Sequence, residues 1–252
     1  MYVAETHSTN TLLREMIAAG TWPQDELFLR AGYQTAGRGQ TGNGWESEAD
    51  KNLLCSIPLP PSGNLFDLNM MVSVAVHRLV CCVYGLIADE EEVTIKWPND
   101  IYFKDKKMAG ILIENAIVGN EVTCSIAGIG VNINQTIWKS DAPNPVSWAQ
   151  ISGEEYEPDA VMNVLLEQIH EVLKMPIEEV RHYYRAHLYR REGYWPFVER
   201  KVSVSPTMNA ATQTQGQFLA RITDILPTGE IVLQTRDGVE KQYHFKQIRY
   251  VL

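Results

Sequence analysis

The sequence predicts an α+β fold, in which one mixed, largely antiparallel sheet with flanking helices is followed by a small C-terminal β-barrel. Three observations lead there. Strand-like and helix-like segments are interspersed without strict strand–helix alternation, unlike a doubly wound parallel sheet. Three β-branched runs, VTIKWP, MAGILIENAIV and TCSIAGIGVNIN, succeed one another across turn-like connections, as strands of one sheet do. From Trp195 onward apolar and polar residues alternate, with hairpin signals at Thr228-Gly229 and Asp237-Gly238. These patterns divide the chain into a body, 1–194, and a barrel of about five strands, 195–252.

The elements follow in order. Ser8-Thr9-Asn10 offers capping side chains ahead of Leu12, Leu13, Met16 and Ile17 at helical spacing, and Gly20 closes that helix. Glu26 to Ala36 reads as a strand, Gly37 to Gly44 as a glycine-rich loop, and Asn52 to Pro60 as a strand stopped by prolines. Leu68 to Ala88 is a helix of near membrane-spanning length. His77 and Arg78 at its midpoint are costly in lipid, so it is expected to be a buried core helix. Beyond the three strands, Pro158 to Lys174 and Ile177 to Tyr189 are amphipathic helices.

Composition narrows the function. At 252 residues, with 45% hydrophobic and 21% charged residues, the chain can bury a substantial core and is neither disordered nor fibrous. Its net charge of −9 argues against non-specific nucleic-acid binding, which rests on clustered Lys and Arg. Cys55, Cys81, Cys82 and Cys124 form no Cys-x-x-Cys pair and read as thiols of a reducing compartment. The N-terminus shows no secretory pattern, so the expected location is the cytoplasm, with no membrane partner.

Gly37, Gly39 and Gly42 formally make Gly-x-Gly-x-x-Gly, but the run leads into a strand, and proline stands where the ribose-binding acid should be. A strand–loop–strand setting instead exposes backbone N–H groups to an anion, with Arg38 as a bidentate donor. In the second motif, Pro98 and Asn99-Asp100 turn the chain, bringing Lys96, Asn99 and Asp100 to one sheet end opposite Lys107. Two ammonium groups converging on one pocket call for an anion between them, which points to a phosphate-rich substrate. Lys104 and Lys106 read as a solvated hairpin tip. His77 and His170 read as packing residues, while His182, His187 and His244 lack metal-ligand spacing. Tyr183, Tyr184, Tyr189, Tyr194 and Trp195 read as the seam between body and barrel.

GRGQTGNGW, KWPNDIYFKDKKMAGILIE and GIGVNIN, in this order, resemble the signature of biotin protein ligases (biotin–[acetyl-CoA-carboxylase] ligases). With Ser8-Thr9-Asn10 and the terminal barrel, the resemblance spans nearly the whole chain. It implies a class II synthetase-like biotin–lipoate ligase fold with an SH3-like barrel. The implied reaction joins biotin and ATP into biotinyl-5′-AMP and pyrophosphate, then passes biotin to a lysine of a biotin carboxyl carrier protein. Ser8, Thr9, Asn10 and Gln34 are implied to hold the biotin rings, with Gly37, Arg38, Gly39, Gln40, Lys107 and Gly110 completing the biotin site. Arg38, Gln40, Trp45, Lys96, Asn99, Lys107 and Asn132 are implied for ATP and the adenylate, with Trp45 and Asn132 at the adenine. Gly110 and Gly130 are expected to admit the ligand close to the backbone. Mg²⁺ is expected on the ATP phosphates, beside Asn99 and Asp100, with no protein-only metal site. Lys107, Arg38 and Asp100 are the expected catalytic residues, Asp100 as base toward the acceptor lysine.

Two departures stand out. Gln40 occupies a position often arginine in such ligases, which removes a charge from the loop. The chain starts almost at the Ser-Thr-Asn segment, where some relatives carry a helix-turn-helix, so no nucleic-acid partner is expected. Monomer and homodimer both stay open. The alternatives are a lipoate or octanoate ligase or transferase of the same fold, and a non-catalytic biotin-binding module.

Overall fold

The computed structural model describes every residue except 41–42, 61–63, 85–91, 119–120, 141 and 201–213. The chain opens with β1 (Tyr2–Thr6), α1 (Thr9–Ala18), β2 (Leu29–Gln34), β3 (Leu53–Leu59) and α2 (Leu65–Tyr84). Four strands follow, β4 (Val93–Lys96), β5 (Asp100–Phe103), β6 (Lys106–Val118) and β7 (Glu121–Val131). Three helices complete the body, α3 (Trp148–Ser152), α4 (Pro158–Lys174) and α5 (Ile177–Ala186). The last 58 residues hold β8 (Trp195–Arg200), β9 (Thr214–Ile225), β10 (Ile231–Thr235), β11 (Glu240–Tyr243) and β12 (Ile248–Tyr250).

Seven strands form one sheet in the order β1-β2-β3-β7-β6-β5-β4, antiparallel throughout except for the parallel β1–β2 pair. That is the mixed, largely antiparallel sheet expected. β1 was not expected: its five residues alternate too little to stand out, and all pairing falls on one side, against β2. The expected helix end at 85–88 and the barrel residues Lys201 to Pro206 lie outside the described residues.

α2 is apolar nearly all round because it lies inside the body against α4, α5 and the sheet. Met70, Val74, Val76, Leu79 and Val80 are fully buried, as are Leu165 and Val172 of α4. Each such side chain contributes about 1.5–3 kcal/mol on leaving water. Leu65–Val83 is long and apolar enough to cross a membrane, yet packing inside the protein accounts for it. Arg181 of α5 grips Asp67 of α2 with two parallel bonds, Nε to Oδ1 and Nη2 to Oδ2, both 2.9 Å.

His77 is buried in α2 and fully partnered. Its Nε2 donates to Val93 O at 2.9 Å, leaving Nδ1 to accept from the Tyr183 hydroxyl at 3.0 Å. Burial pushes its pKa down to about 4. An unfolded imidazole protonates near 6.5, so below that pH the unfolded chain gains a proton that the folded one refuses. Stability is therefore complete above pH 6.5 and falls as the pH drops toward 4, by about 2–3 kcal/mol from this residue. Urea denaturation at pH 7 and 4.5 should show that loss, with a smaller pH dependence in His77→Gln. His170, by contrast, is exposed.

The second sheet runs β11-β10-β9-β8-β12, all antiparallel. Gly229 and Gly238 take the positive φ, 100° and 86°, that its hairpin turns require. It docks on the body through Trp97 Nε1, which donates to Gly229 O at 3.0 Å, and through Arg185 on Ile225 O and Asp224. Of the expected seam aromatics, Tyr189 packs on Tyr250 and Tyr194 lies under Arg221 and Arg236. Tyr183 and Tyr184 serve the body instead: Tyr183 stacks on His187, and Tyr184 donates to Pro98 O.

Candidate active site

A cavity of about 490 Å³ lies across the sheet, from the start of α1 to the end of β12. At one end Ser8, Thr9 and Asn10 are buried, with Ser8 in the extended conformation of a helix N-cap. Gln34, at the end of β2, accepts from the Thr9 N–H at 2.7 Å and from its hydroxyl at 3.2 Å. Ser56 of β3 reaches both Thr9 Oγ1 and Asn10 Oδ1, at 2.7 and 2.6 Å, and its one proton serves one of them at a time. Asn10 donates to Leu112 O and to Glu114 Oε2. Gly128 makes room for it, since a Cβ there would stand 2.5 Å from Asn10 Oδ1.

Gly37 to Gly44 forms a hairpin over the cavity. Arg38 bridges Gly44, Gly39 N–H bonds Asn43 O, and Trp45 N–H bonds Gly37 O. Thr41 and Gly42 lie outside the described residues. The Arg38 guanidinium sits on Glu114 Oε2 at 2.9 Å and Thr11 Oγ1 at 3.1 Å, on the α1 side of the cavity. Gln40 lines the cavity. The Trp45 indole lies over Gly110 and Gly130, which pair across β6 and β7. A Cβ on Gly130 would fall 2.5 Å from its Cζ2, and one on Gly110 2.9 Å from its Cζ3. The openness expected at these glycines is thus filled by the protein's own tryptophan.

Beyond the indole are the cations. Lys107 Nζ pairs with Asp100 Oδ1 at 2.7 Å and lies 5.5 Å from the Trp45 ring. Lys96 Nζ bonds the Tyr102 hydroxyl at 2.9 Å and lies over the rings of Tyr102 and Tyr250. Burial pushes its pKa down to about 8, against the attraction of Asp100. Asn99 is buried with its amide nitrogen committed to Ile111 O. Asn132 stands behind the cavity wall, donating to Lys107 O at 3.2 Å, with its buried Oδ1 unpartnered. The structure thus brings Ser8, Thr9, Asn10, Gln34, Arg38, Trp45, Lys96, Asn99, Asp100, Lys107 and Gly110 to one cavity, with the Arg38 guanidinium tied to Glu114, while Asn132 does not line it.

Sequence reasoning missed Ser56, Glu114 and Gly128. It also missed the barrel's contribution of Arg200, Phe245, Lys246, Ile248, Arg249 and Tyr250. A polar residue inside the run LLCSIPL was a signal for Ser56, and the basic tilt of 198–252 was one for the barrel. Among the described residues no cluster of three or more His, Cys, Asp or Glu could hold a metal ion. Among the described residues lining the cavity, Asp100 is the carboxylate beside the cations.

Chemically, the cavity joins a buried polar end to a cationic end across a roofed floor. Bifunctional ligase/repressor BirA of Bacillus spizizenii is 29% identical over 239 residues, covering 90% of this chain and 67% of that protein. Biotin–[acetyl-CoA-carboxylase] ligase of Paracoccus denitrificans is 29% identical, covering 65% of this chain and 68% of its own. The fold matches that of biotin protein ligase from Aquifex aeolicus in complex with biotin and ATP. That match has a TM-score of 0.76 and 23% identity, and covers 100% of this chain and 98% of that one. The model of the Biotin/lipoate A/B protein ligase family matches residues 2–132, more than half the chain, and the protein belongs to that family.

Proposed function

We propose that this protein activates biotin with ATP to biotinyl-5′-AMP and pyrophosphate, and then transfers biotin to one lysine of a biotin carboxyl carrier protein. One observation carries the reading: the polar group Ser8, Thr9, Asn10 and Gln34 and the cations Lys96 and Lys107 occupy the two ends of a single cavity of about 490 Å³. The quartet suits a ureido ring, which has both N–H donors and a carbonyl acceptor. Ser8, Thr9 and Asn10 are buried at that end with Gln34 half-buried beside them, and a dithiolane or an alkyl chain would offer these polar groups nothing to bond. That favours biotin over lipoate or octanoate.

Attack of the biotin carboxylate on the α-phosphorus forms a C–O–P link and expels pyrophosphate. Two anions must meet, so cations that offset their repulsion act most strongly as charge builds in the transition state. Lys107 and Lys96 stand at that end, and Arg38 reaches it by leaving Glu114. Asp100 is the carboxylate that would face a Mg²⁺ ion carried on the ATP phosphates, which would offset leaving-group charge. In the second half-reaction the acceptor lysine loses a proton and attacks the acyl carbon, breaking its bond to the phosphate oxygen and releasing AMP, and Asp100 is our candidate to receive the proton. Trp45 and the barrel wall shut out water that would hydrolyse the mixed anhydride. We read 1–194 as the ligase domain and 195–252 as an SH3-like barrel that completes its cavity. The unbridged thiols Cys55, Cys82 and Cys124 fit the cytoplasm.

Incubation with ATP, labelled pyrophosphate and each acid tests the reading. Biotin should drive exchange while lipoate and octanoate do not. No exchange would leave a binding module, and exchange with lipoate alone would reassign the substrate.

A further inference from the structure

Glu46 follows the Trp45 indole in sequence and does not line the cavity. Its carboxylate nevertheless holds a distant segment. Lys139 N–H donates to Oε1 at 2.7 Å and Ser140 N–H to Oε2 at 2.8 Å, while Gln135 Nε2 adds a bond to Oε1 at 3.3 Å. Two successive backbone donors, one to each oxygen, make a grip that only a carboxylate can complete. A glutamine would turn an NH₂ toward one of the donors, and an aspartate is a methylene short.

Farther along the chain, Asn144 and Val146 clasp the main chain of Lys107. Lys107 N–H donates to Asn144 O at 2.8 Å, and Val146 N–H donates to Lys107 O at 2.9 Å. Asn144 also donates from its side chain to Asp105 O. Glu46 thus stands between two parts of the site. On one side the hairpin ends in the indole seated on Gly110 and Gly130, and on the other a braced segment carries the backbone of Lys107.

We propose that Glu46 is a positioning residue for adenylation. It fixes the exit of the glycine hairpin to the segment that braces Lys107, so that the indole and the ammonium keep their mutual placement. The inference rests on the ligase reading above. Because Glu46 touches nothing at the Ser8–Asn10 end, its loss acts on the nucleotide half alone. A misplacement near 1 Å costs up to about 100-fold in rate, so Glu46→Gln should raise the KM for ATP and speed adenylate release by about 10- to 100-fold. Biotin affinity of the free enzyme should stay within about twofold, a split that general destabilisation would not produce.

The test pairs Glu46→Gln with Ser140→Pro, which deletes one donor from the opposite partner. Adenylate dissociation is followed by stopped flow, KM for ATP by pyrophosphate exchange, and biotin binding by calorimetry. Both variants should release adenylate faster, and their combination should be no worse than either alone. Wild-type release and KM in Glu46→Gln would overturn the proposal, as would additive effects or an equal loss of biotin affinity. Absence of exchange in the wild-type enzyme would instead bring down the ligase reading itself.

Discussion

Lys107→Ala should form biotinyl-adenylate at least about 100- to 1,000-fold more slowly than wild type, with the fold intact. The ammonium it removes is the partner of Asp100 at 2.7 Å, and without that ion pair the carboxylate faces the incoming phosphates less compensated. Loss of attraction and gain of repulsion therefore act together. The fold survives because Lys107 joins the sheet and the Asn144 segment through its main chain, which alanine keeps. A pyrophosphate burst measures the first half-reaction, and circular dichroism checks the fold. Adding Asp100→Asn should recover part of the loss, because the stranded negative charge goes too. An unchanged burst in Lys107→Ala would refute its role.

Gly130→Ala should also damage the nucleotide end. The added methyl would lie 2.5 Å from Trp45 Cζ2, and strand β7 is held on both sides by β3 and β6, so the indole has to give way. Overpacking of this kind costs about 1–3 kcal/mol where the neighbour cannot move. Here the neighbour is the foot of the hairpin, so the cost appears as a displaced roof rather than an unfolded sheet. Adenylate should dissociate at least about tenfold faster, with biotin affinity preserved. In a Trp45→Ala background, with no indole to expel, the same substitution should have little further effect. Stopped-flow release across the four combinations decides it.

Much of this site was legible because its residues come in runs. The glycine loop, the Lys96–Lys107 turn and the Ser8–Asn10 helix start are each local, and local patterning places them on loop, hairpin and helix. Ser56, Glu114 and Gly128 were not legible, because each matters only through a partner 46 to 118 residues away that strand pairing brings alongside. Arg38 and Asn132 show another limit. Their residue types suit phosphate and adenine, but type does not fix a rotamer, and here the first rests on Glu114 and the second under Lys107. Gly110 and Gly130 signalled that something lies close to the backbone, and only the fold shows that it is an indole. At the level of the fold, β1 and α3 escaped notice because five residues give periodicity little to act on.

The barrel's share of the cavity has a thermal consequence. Tyr250 and Phe245 meet Lys96 and Trp97, so part of the chamber's wall belongs to the five-stranded sheet. Warming that loosens the lesser sheet would strip one wall from the chamber while the larger one still stands. Activity would then fade at temperatures where the bulk of the molecule still gives a folded spectrum.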